Sequence, residues 1–298
     1  MKYVDELLAL LDSSVAECVS GEGSIGLVYS SGVDSTLVGV VASRHGKVTG
    51  YNVGVAGSPD AAYARDADSG LPFSLAYVEI SEEDVEEALP IVAKAVGEPN
   101  PLKISVGIPF YFASKKAKSD GLTSMLCGQG PDELFGGYAR YLDVLGASGY
   151  EGVEEAMRKD AAELFGSQLV FDERVAGVNG VSLRFPFMDE KFVDFALKIP
   201  IEFKLKEAET VPEYECVDDV RGLHVIRKFI LREAAAKAGV PDSILNRLKK
   251  AAQYGSGAMK TIEKLARKKG AKKDASDAGR SDYVRFYIER VFEEVSLG

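Results

Sequence analysis

Val28-Tyr29-Ser30-Ser31-Gly32-Val33-Asp34-Ser35-Thr36 is the stretch on which the fold turns. An apolar run at residues 25–29 leads into it and reads as a buried strand; a second run, 36–42, leaves it as a helix. A chain that passes sharply from strand to helix leaves the first helical N–H groups without backbone partners. Together with the helix dipole they favour anionic oxygens. Gly32 allows the tight turn and a close approach of phosphate, and Ser30, Ser35 and Thr36 add hydroxyl donors. Asp34 is the discordant residue, because a carboxylate repels phosphate unless a cation lies between them. The combination predicts a phosphate site that carries magnesium. No lysine follows the glycine, so this is not the G-x-x-x-x-G-K-[ST] loop. The bland alternative is an ordinary helix cap and turn.

Outward from this stretch, strands and helices alternate. Residues 48–55, 73–80 and 123–127 read as strands, and 61–68, a segment from the capping box Ser81-Glu82-Glu83-Asp84 to about 96, and 108–119 as helices. Pro99 and Pro101 mark a loop between the last two helices. The alternation predicts an α/β, doubly wound parallel sheet, whose ligands gather at the carboxyl ends of the strands. An amphipathic helix built on Tyr3, Val4, Leu7, Leu8, Leu10, Leu11, Val15 and Val19 precedes it. Beyond residue 142 strand signals fade, and 151–166, 189–197, 223–238 and 258–269 read as helices. The expected organisation is a core over 1–145 and a mostly helical substrate or lid region over 146–298, with 268–279 as a mobile loop.

Composition narrows the function classes. The net charge of −10 excludes a generic nucleic-acid binder. No apolar run reaches the length of a membrane span, and the first residues do not read as a signal peptide. Cys18, Cys127 and Cys216 form no C-x-x-C pair, which fits a reducing cytoplasm rather than a disulfide or zinc framework. His45 and His224 are too few for a multi-histidine metal site.

The second constellation is Cys127-Gly128-Gln129-Gly130-Pro131-Asp132-Glu133-Leu134-Phe135-Gly136-Gly137-Tyr138. It follows a predicted strand at the same sheet edge, and Asp132 is placed to share magnesium with Asp34. The first loop resembles the S-G-G-x-D-S loop of the ATP pyrophosphatases, with Ser31 where a glycine is usual. The second resembles the S-G-E-G-x-D-E-x-F-G-G-Y of the synthetase domain of asparagine synthetase and β-lactam synthetase. Val53-Gly54-Val55-Ala56-Gly57-Ser58-Pro59-Asp60, Arg184-Phe185-Pro186-Phe187-Met188-Asp189, Lys228-Phe229-Ile230-Leu231-Arg232 and Arg247-Leu248-Lys249 are similar to further motifs of that family.

The resemblance implies roles. Ser30, Ser31, Gly32, Asp34, Ser35, Val53, Gly128 and Gln129 would hold ATP, and Asp34 and Asp132 magnesium. Lys249 would neutralise charge on the α-phosphate and the leaving pyrophosphate, Lys228 would help at the same phosphates, and both count with Asp34 and Asp132 as catalytic. The implied reaction adenylates a small-molecule carboxylate, releases pyrophosphate and passes the acyl group to ammonia or an amine. The family's glutaminase domain has no counterpart in this sequence, so nitrogen is expected from free ammonia or a separate glutaminase. Gln129 replaces the family glutamate, and an amide cannot act as a base. Leu102-Lys103-Ile104-Ser105 replaces a T-T-I-R-like segment, leaving Lys103 as a cation for an acidic substrate. Two alternatives stand beside this reading. One is modification of a tRNA base, with Arg247, Lys249, Lys250, Arg267, Lys268, Lys269, Lys272 and Lys273 as a basic patch. The other is an ATP-binding protein without turnover.

Overall fold

The computed structural model describes residues 2–164, 169–208, 216–220, 222–247 and 255–297. Its central sheet holds β1 (Ser24–Val28), β2 (Lys47–Val55), β3 (Ser74–Ile80), β4 (Ser124–Cys127) and β5 (Ser182–Arg184). All neighbours are parallel, in the order β3-β2-β1-β4-β5. The chain builds outward from β1 to β3, then returns to place β4 on the other side of β1. The crevice beyond β1 and β4 is therefore a topological switch point, where ligands bind in such sheets. Val28 is in register with Tyr51 on one side and Cys127 on the other, so the loops after β1 and β4 leave the sheet level with each other.

The helices in chain order are α1 (Lys2–Val19), α2 (Val33–Ala42), α3 (Pro59–Ala67), α4 (Glu82–Val96), α5 (Pro101–Ser119), α6 (Pro131–Leu134), α7 (Arg140–Glu163) and α8 (Leu169–Gly177). They continue as α9 (Glu190–Lys198), α10 (Ile201–Lys204), α11 (Phe229–Ala238), α12 (Asp242–Leu245), α13 (Ala258–Lys268), α14 (Ala271–Asp277) and α15 (Tyr283–Leu297). Helices α1, α2, α9 and α11 pack with Leu27 and Tyr29 of one sheet face, and α4, α5, α13 and α15 with Tyr51, Val53 and Met125 of the other. Leu7 and Leu11 of α1 are fully buried in the first of these layers. Leu11→Ala is expected to cost about 2–5 kcal/mol in urea unfolding, because a cavity adds to the lost transfer energy. No described helix is long and apolar enough to cross a membrane.

The capping box forms as expected: Asp84 N–H donates to Ser81 Oγ (3.0 Å) and Ser81 N–H to Asp84 Oδ2 (2.7 Å). Elsewhere the structure corrects the expectation. Pro101 opens α5 instead of lying in a loop, because Asn100 caps the helix and accepts from Leu102 and Lys103 N–H. A proline at the first helical position loses no intrahelical bond. Residues 223–227 are not helical but form β8 (Leu223–Arg227), in a second, antiparallel sheet with β6 (Leu205–Ala208) and β7 (Val217–Val220). The apolar run 223–231 has no glycine or proline at the junction. Lys228 itself makes the break, in a left-handed conformation (φ 54°, ψ 34°). Residues 271–277, expected as part of a mobile loop, are helix α14, which buries Ala271 and Ala275. Strand β5, only three residues long, gave no sequence signal. The helix read at 151–166 is the second part of α7, which is interrupted at Gly149 (φ 66°, ψ −167°); its last predicted residues lie outside those described.

Candidate active site

Beyond the carboxyl ends of β1, β2 and β4 lies a cavity of about 400 Å³. Ser30, Asp34, Ser35, Val53, Gly128, Gln129 and Asp132 line it, so both loops singled out in the sequence meet in one space. Helix α5 supplies a largely apolar wall through Leu102, Val106, Pro109 and Phe110, with Lys103 in the same wall. Lys103 Nζ is paired with Glu98 (2.5 Å) and lies 4.0 Å over the Phe171 ring.

The electrostatic centre is Lys228. Its Nζ lies 2.6 Å from Asp34 Oδ2 and 2.7 Å from Asp132 Oδ1, and the side chain is 1 % exposed. The left-handed turn between β8 and α11 carries this ammonium into the interior rather than onto a solvated helix face. Arg232, one turn on, is also buried and donates to the carbonyls of Arg227 and Arg247. The Gly-Gly turn of the second motif is a steric requirement of the same cluster. A Cβ on Gly137 would lie 1.8 Å from Asp132 Oδ1 and 2.2 Å from Lys228 Cε. Arg227 fixes that turn, donating to Gly137 O (2.5 Å) while pairing with Asp218 of β7. Gly128 is constrained too: a Cβ there would stand 2.9 Å from Ser35 N at the start of α2.

Around the first loop, Thr36 is spent on structure, donating its hydroxyl to Gly32 O (2.8 Å). Ser30 and Ser35 hydroxyls lie 3.2 Å apart on the cavity wall. Gly32 caps α2 in an extended conformation. Ser31 is left-handed (φ 51°) and fully buried, which explains why a glycine would be at home here. Its hydroxyl reaches Asp60 O (2.9 Å) and accepts from Arg247 Nη1 (2.8 Å). Arg247 also donates to Ser30 O (3.1 Å) and Ser31 O (2.9 Å), pairs with Asp60 Oδ1 (2.6 Å) and stacks on Tyr63. The guanidinium therefore latches the loop from the far end of the chain. Ser31→Ala, which keeps the strained φ and loses these bonds, is expected to unfold more readily than Ser31→Gly by about 1 kcal/mol in urea.

The second loop carries a buried acid. Burial pushes the Glu133 carboxyl up to about 7, against a hydrogen bond from the Tyr138 hydroxyl at 2.5 Å that pulls it down. The folded state thus keeps a proton that the unfolded chain loses near its usual 4.5. Wild-type stability contributed by this group falls as pH rises from about 4.5 to about 7. Glu133→Gln removes that slope, so its stability relative to wild type should grow across this window in urea titrations at successive pH values. Cys127 is buried beside the cavity and its thiol is raised well above the ordinary range by burial, as fits a packed near-isostere of serine. Lys249 lies outside the described residues.

The family model described as asparagine synthase matches residues 6–152 and 146–294. A Methanocaldococcus jannaschii protein named "Putative asparagine synthetase (glutamine-hydrolyzing) 1" is 41 % identical over 287 residues, covering 91 % of this chain and 52 % of its own length. The chain belongs to the asparagine synthase family. The Escherichia coli asparagine synthetase B (glutamine-hydrolyzing) is 26 % identical over 85 % of this chain and 45 % of its own. A Dictyostelium discoideum relative, "Probable asparagine synthetase (glutamine-hydrolyzing)", is 28 % identical over 96 % and 54 %. The chain spans about half the length of these curated relatives.

Within this asparagine synthase domain several working residues had no role assigned from sequence. Asp60 sits in a recognised motif, but its partner is Arg247, at a separation of 187 residues. Tyr138 and Arg140 also line the cavity, with the Arg140 guanidinium 4.4 Å from the Tyr138 ring centroid. Asp172 on α8 is buried and accepts from Gln129 Nε2 (2.9 Å); its surroundings in sequence, Phe171-Asp172-Glu173-Arg174, read as an ordinary helix surface. Arg184 pairs with Glu22 (3.1 Å), as a structural cation would.

Proposed function

We propose that this asparagine synthase domain is an ATP-dependent carbon–nitrogen ligase. The convergence of Asp34 and Asp132 on Lys228, at the switch point between β1 and β4, is the observation that supports it most. ATP would lie along the loops after β1 and β4, with Ser30, Ser35 and Gly128 at its phosphates and Val53 in the adjoining wall. Two converging carboxylates suit magnesium, which takes a few protein carboxylates and completes its shell from phosphate and water. Asp34 and Asp132 would hold that ion, and it would neutralise phosphate charge. A substrate carboxylate attacks the α-phosphorus and pyrophosphate leaves; ammonia or an amine then displaces AMP from the acyl-adenylate to give an amide. Lys228 contributes a fixed, desolvated positive charge, the kind of preorganised electrostatics that supplies much of a catalytic effect. Lys103 and Arg140, which line the cavity and pair with Glu98 and Asp160, would be the cations for an acidic substrate.

The nitrogen donor in this reading is free ammonia, an amine or the product of a separate glutaminase. The free cysteines Cys18, Cys127 and Cys216 suit the cytoplasm. Three of the described residues of the basic patch in the tRNA alternative are engaged within the protein. Lys268 and Lys269 pair with Glu82 and Glu86 of α4, and Arg247 is buried against Asp60. Pyrophosphate release from ATP and magnesium, screened over aspartate, glutamate and other small carboxylates with and without ammonia, tests the proposal. Release that requires one acid and is lost in Asp34→Ala supports it. ATP binding without release for any acid would overturn it.

A further inference from the structure

Gln129 lines the cavity, yet its amide nitrogen is engaged by a buried carboxylate, Nε2 donating to Asp172 Oδ2 at 2.9 Å. An ionised carboxylate only accepts hydrogen bonds, so it selects one of the two amide orientations. Asp172 comes from α8 and is 3 % exposed. Such a bond is made in low dielectric, where leaving either partner unsatisfied is costly. Cys127 and Glu133 are the titratable groups whose fields couple to Asp172, and Phe171 beside it is covered by Lys103, itself paired with Glu98.

We infer that Asp172 is a positioning residue: it turns the Gln129 NH2 toward the protein and the Gln129 carbonyl oxygen toward the cavity, so that this corner accepts an N–H donor from a ligand, an amine or ammonium, and disfavours a carboxylate. If the proposed ligase reaction holds, this places the nitrogen nucleophile at Gln129 and the acid elsewhere in the cavity, but the orientation itself stands without turnover. Burial pushes the Asp172 carboxyl up to about 7, against the hydrogen bond from Gln129, so the selection is complete only above neutrality. Below it, a protonated Asp172 can donate to the amide oxygen and release the opposite orientation.

The chain has only three glutamines, Gln129, Gln168 and Gln253, so selective 15N-glutamine labelling resolves the Gln129 side-chain amide, assigned by its loss in Gln129→Met. The full chain is titrated above pH 8 with methylammonium chloride and, separately, sodium acetate at matched ionic strength. The expected result is a Gln129 amide shift with methylammonium several-fold larger than with acetate. The preference should fall to parity in Asp172→Asn, with the Gln129 resonance itself moving in the free protein. Acetate shifting Gln129 as far as methylammonium, or neither ion shifting it, overturns the inference in wild type alone, whether or not the variant folds. A Gln129 resonance unchanged by Asp172→Asn overturns it as well. Because no turnover is measured, absence of pyrophosphate release counts against the ligase reading and not against this one. Where release is observed, Asp172→Asn should raise KM for ammonia about ten-fold and leave KM for ATP unchanged.

Discussion

In the proposed reaction, Lys228→Met is expected to lower pyrophosphate release by about a hundred- to a thousand-fold, the usual cost of removing one preorganised charge from a reacting centre. The effect follows from the position of the ammonium, held 2.6 Å from Asp34 and 2.7 Å from Asp132 and nearly sealed from water. Methionine keeps most of the length of the side chain, without its terminal ammonium, and so removes that counter-ion from the two converging carboxylates. Breaking one side of a buried charge cluster costs about 3–5 kcal/mol, so urea unfolding should show a large loss beside the kinetic one. Adding Asp34→Asn to Lys228→Met should restore part of the stability and none of the activity. A double mutant whose stability loss is the sum of the single losses would show that the pair is not coupled. Lys228→Arg is not expected to rescue, because a planar fork does not fit where one ammonium meets two carboxylates above the Gly137 turn.

Arg247→Leu is expected to cost about 3–5 kcal/mol of stability and, in the proposed reaction, to raise KM for ATP by at least ten-fold, since it removes the guanidinium that pairs with buried Asp60 and holds the Ser30-Ser31 carbonyls. Arg247→Lys should recover little of either, as one ammonium cannot reach the loop carbonyls and the Asp60 carboxylate in the geometry of the guanidinium. The discriminating comparison is Asp60→Asn. It removes the charge partner and leaves the bonds to the loop, so it should lose stability while KM for ATP moves less than in Arg247→Leu. Equal effects of the two on KM would show that Arg247 acts on the loop only through Asp60.

The first four strands and both ligand loops were legible because their signals are local: an apolar run, a glycine turn, an acid where phosphate is expected. The carboxylates Asp34 and Asp132 stood out as unusual in otherwise phosphate-friendly loops, and the structure brings them onto a common cation. Residues 223–227 were misread because the apolar run continues into α11, and the break is a left-handed lysine rather than a glycine. The same reading placed Lys228 on a helix face, where burial could not be foreseen. Asp172 carried no signal at all, since a helix bearing Asp, Glu and Arg resembles any solvated surface until α8 is packed beside Gln129. Ser31 was read as a departure from a motif and as one of the residues to hold ATP; it is fully buried and not in the cavity lining, and its place, a left-handed residue held by Arg247, needs the contact across 216 positions of sequence.

That long contact bears on the order in which the protein can be finished. During synthesis Lys228 and Arg247 leave the ribosome 194 and 216 residues behind their partners in the first loop. A nascent chain carrying the whole parallel sheet still has two carboxylates without their ammonium and a left-handed serine without its guanidinium. The loop after β1 is thus made well before it is completed. Arrival of the segment that carries Lys228 and Arg247, rather than formation of the sheet, becomes the event that completes these contacts.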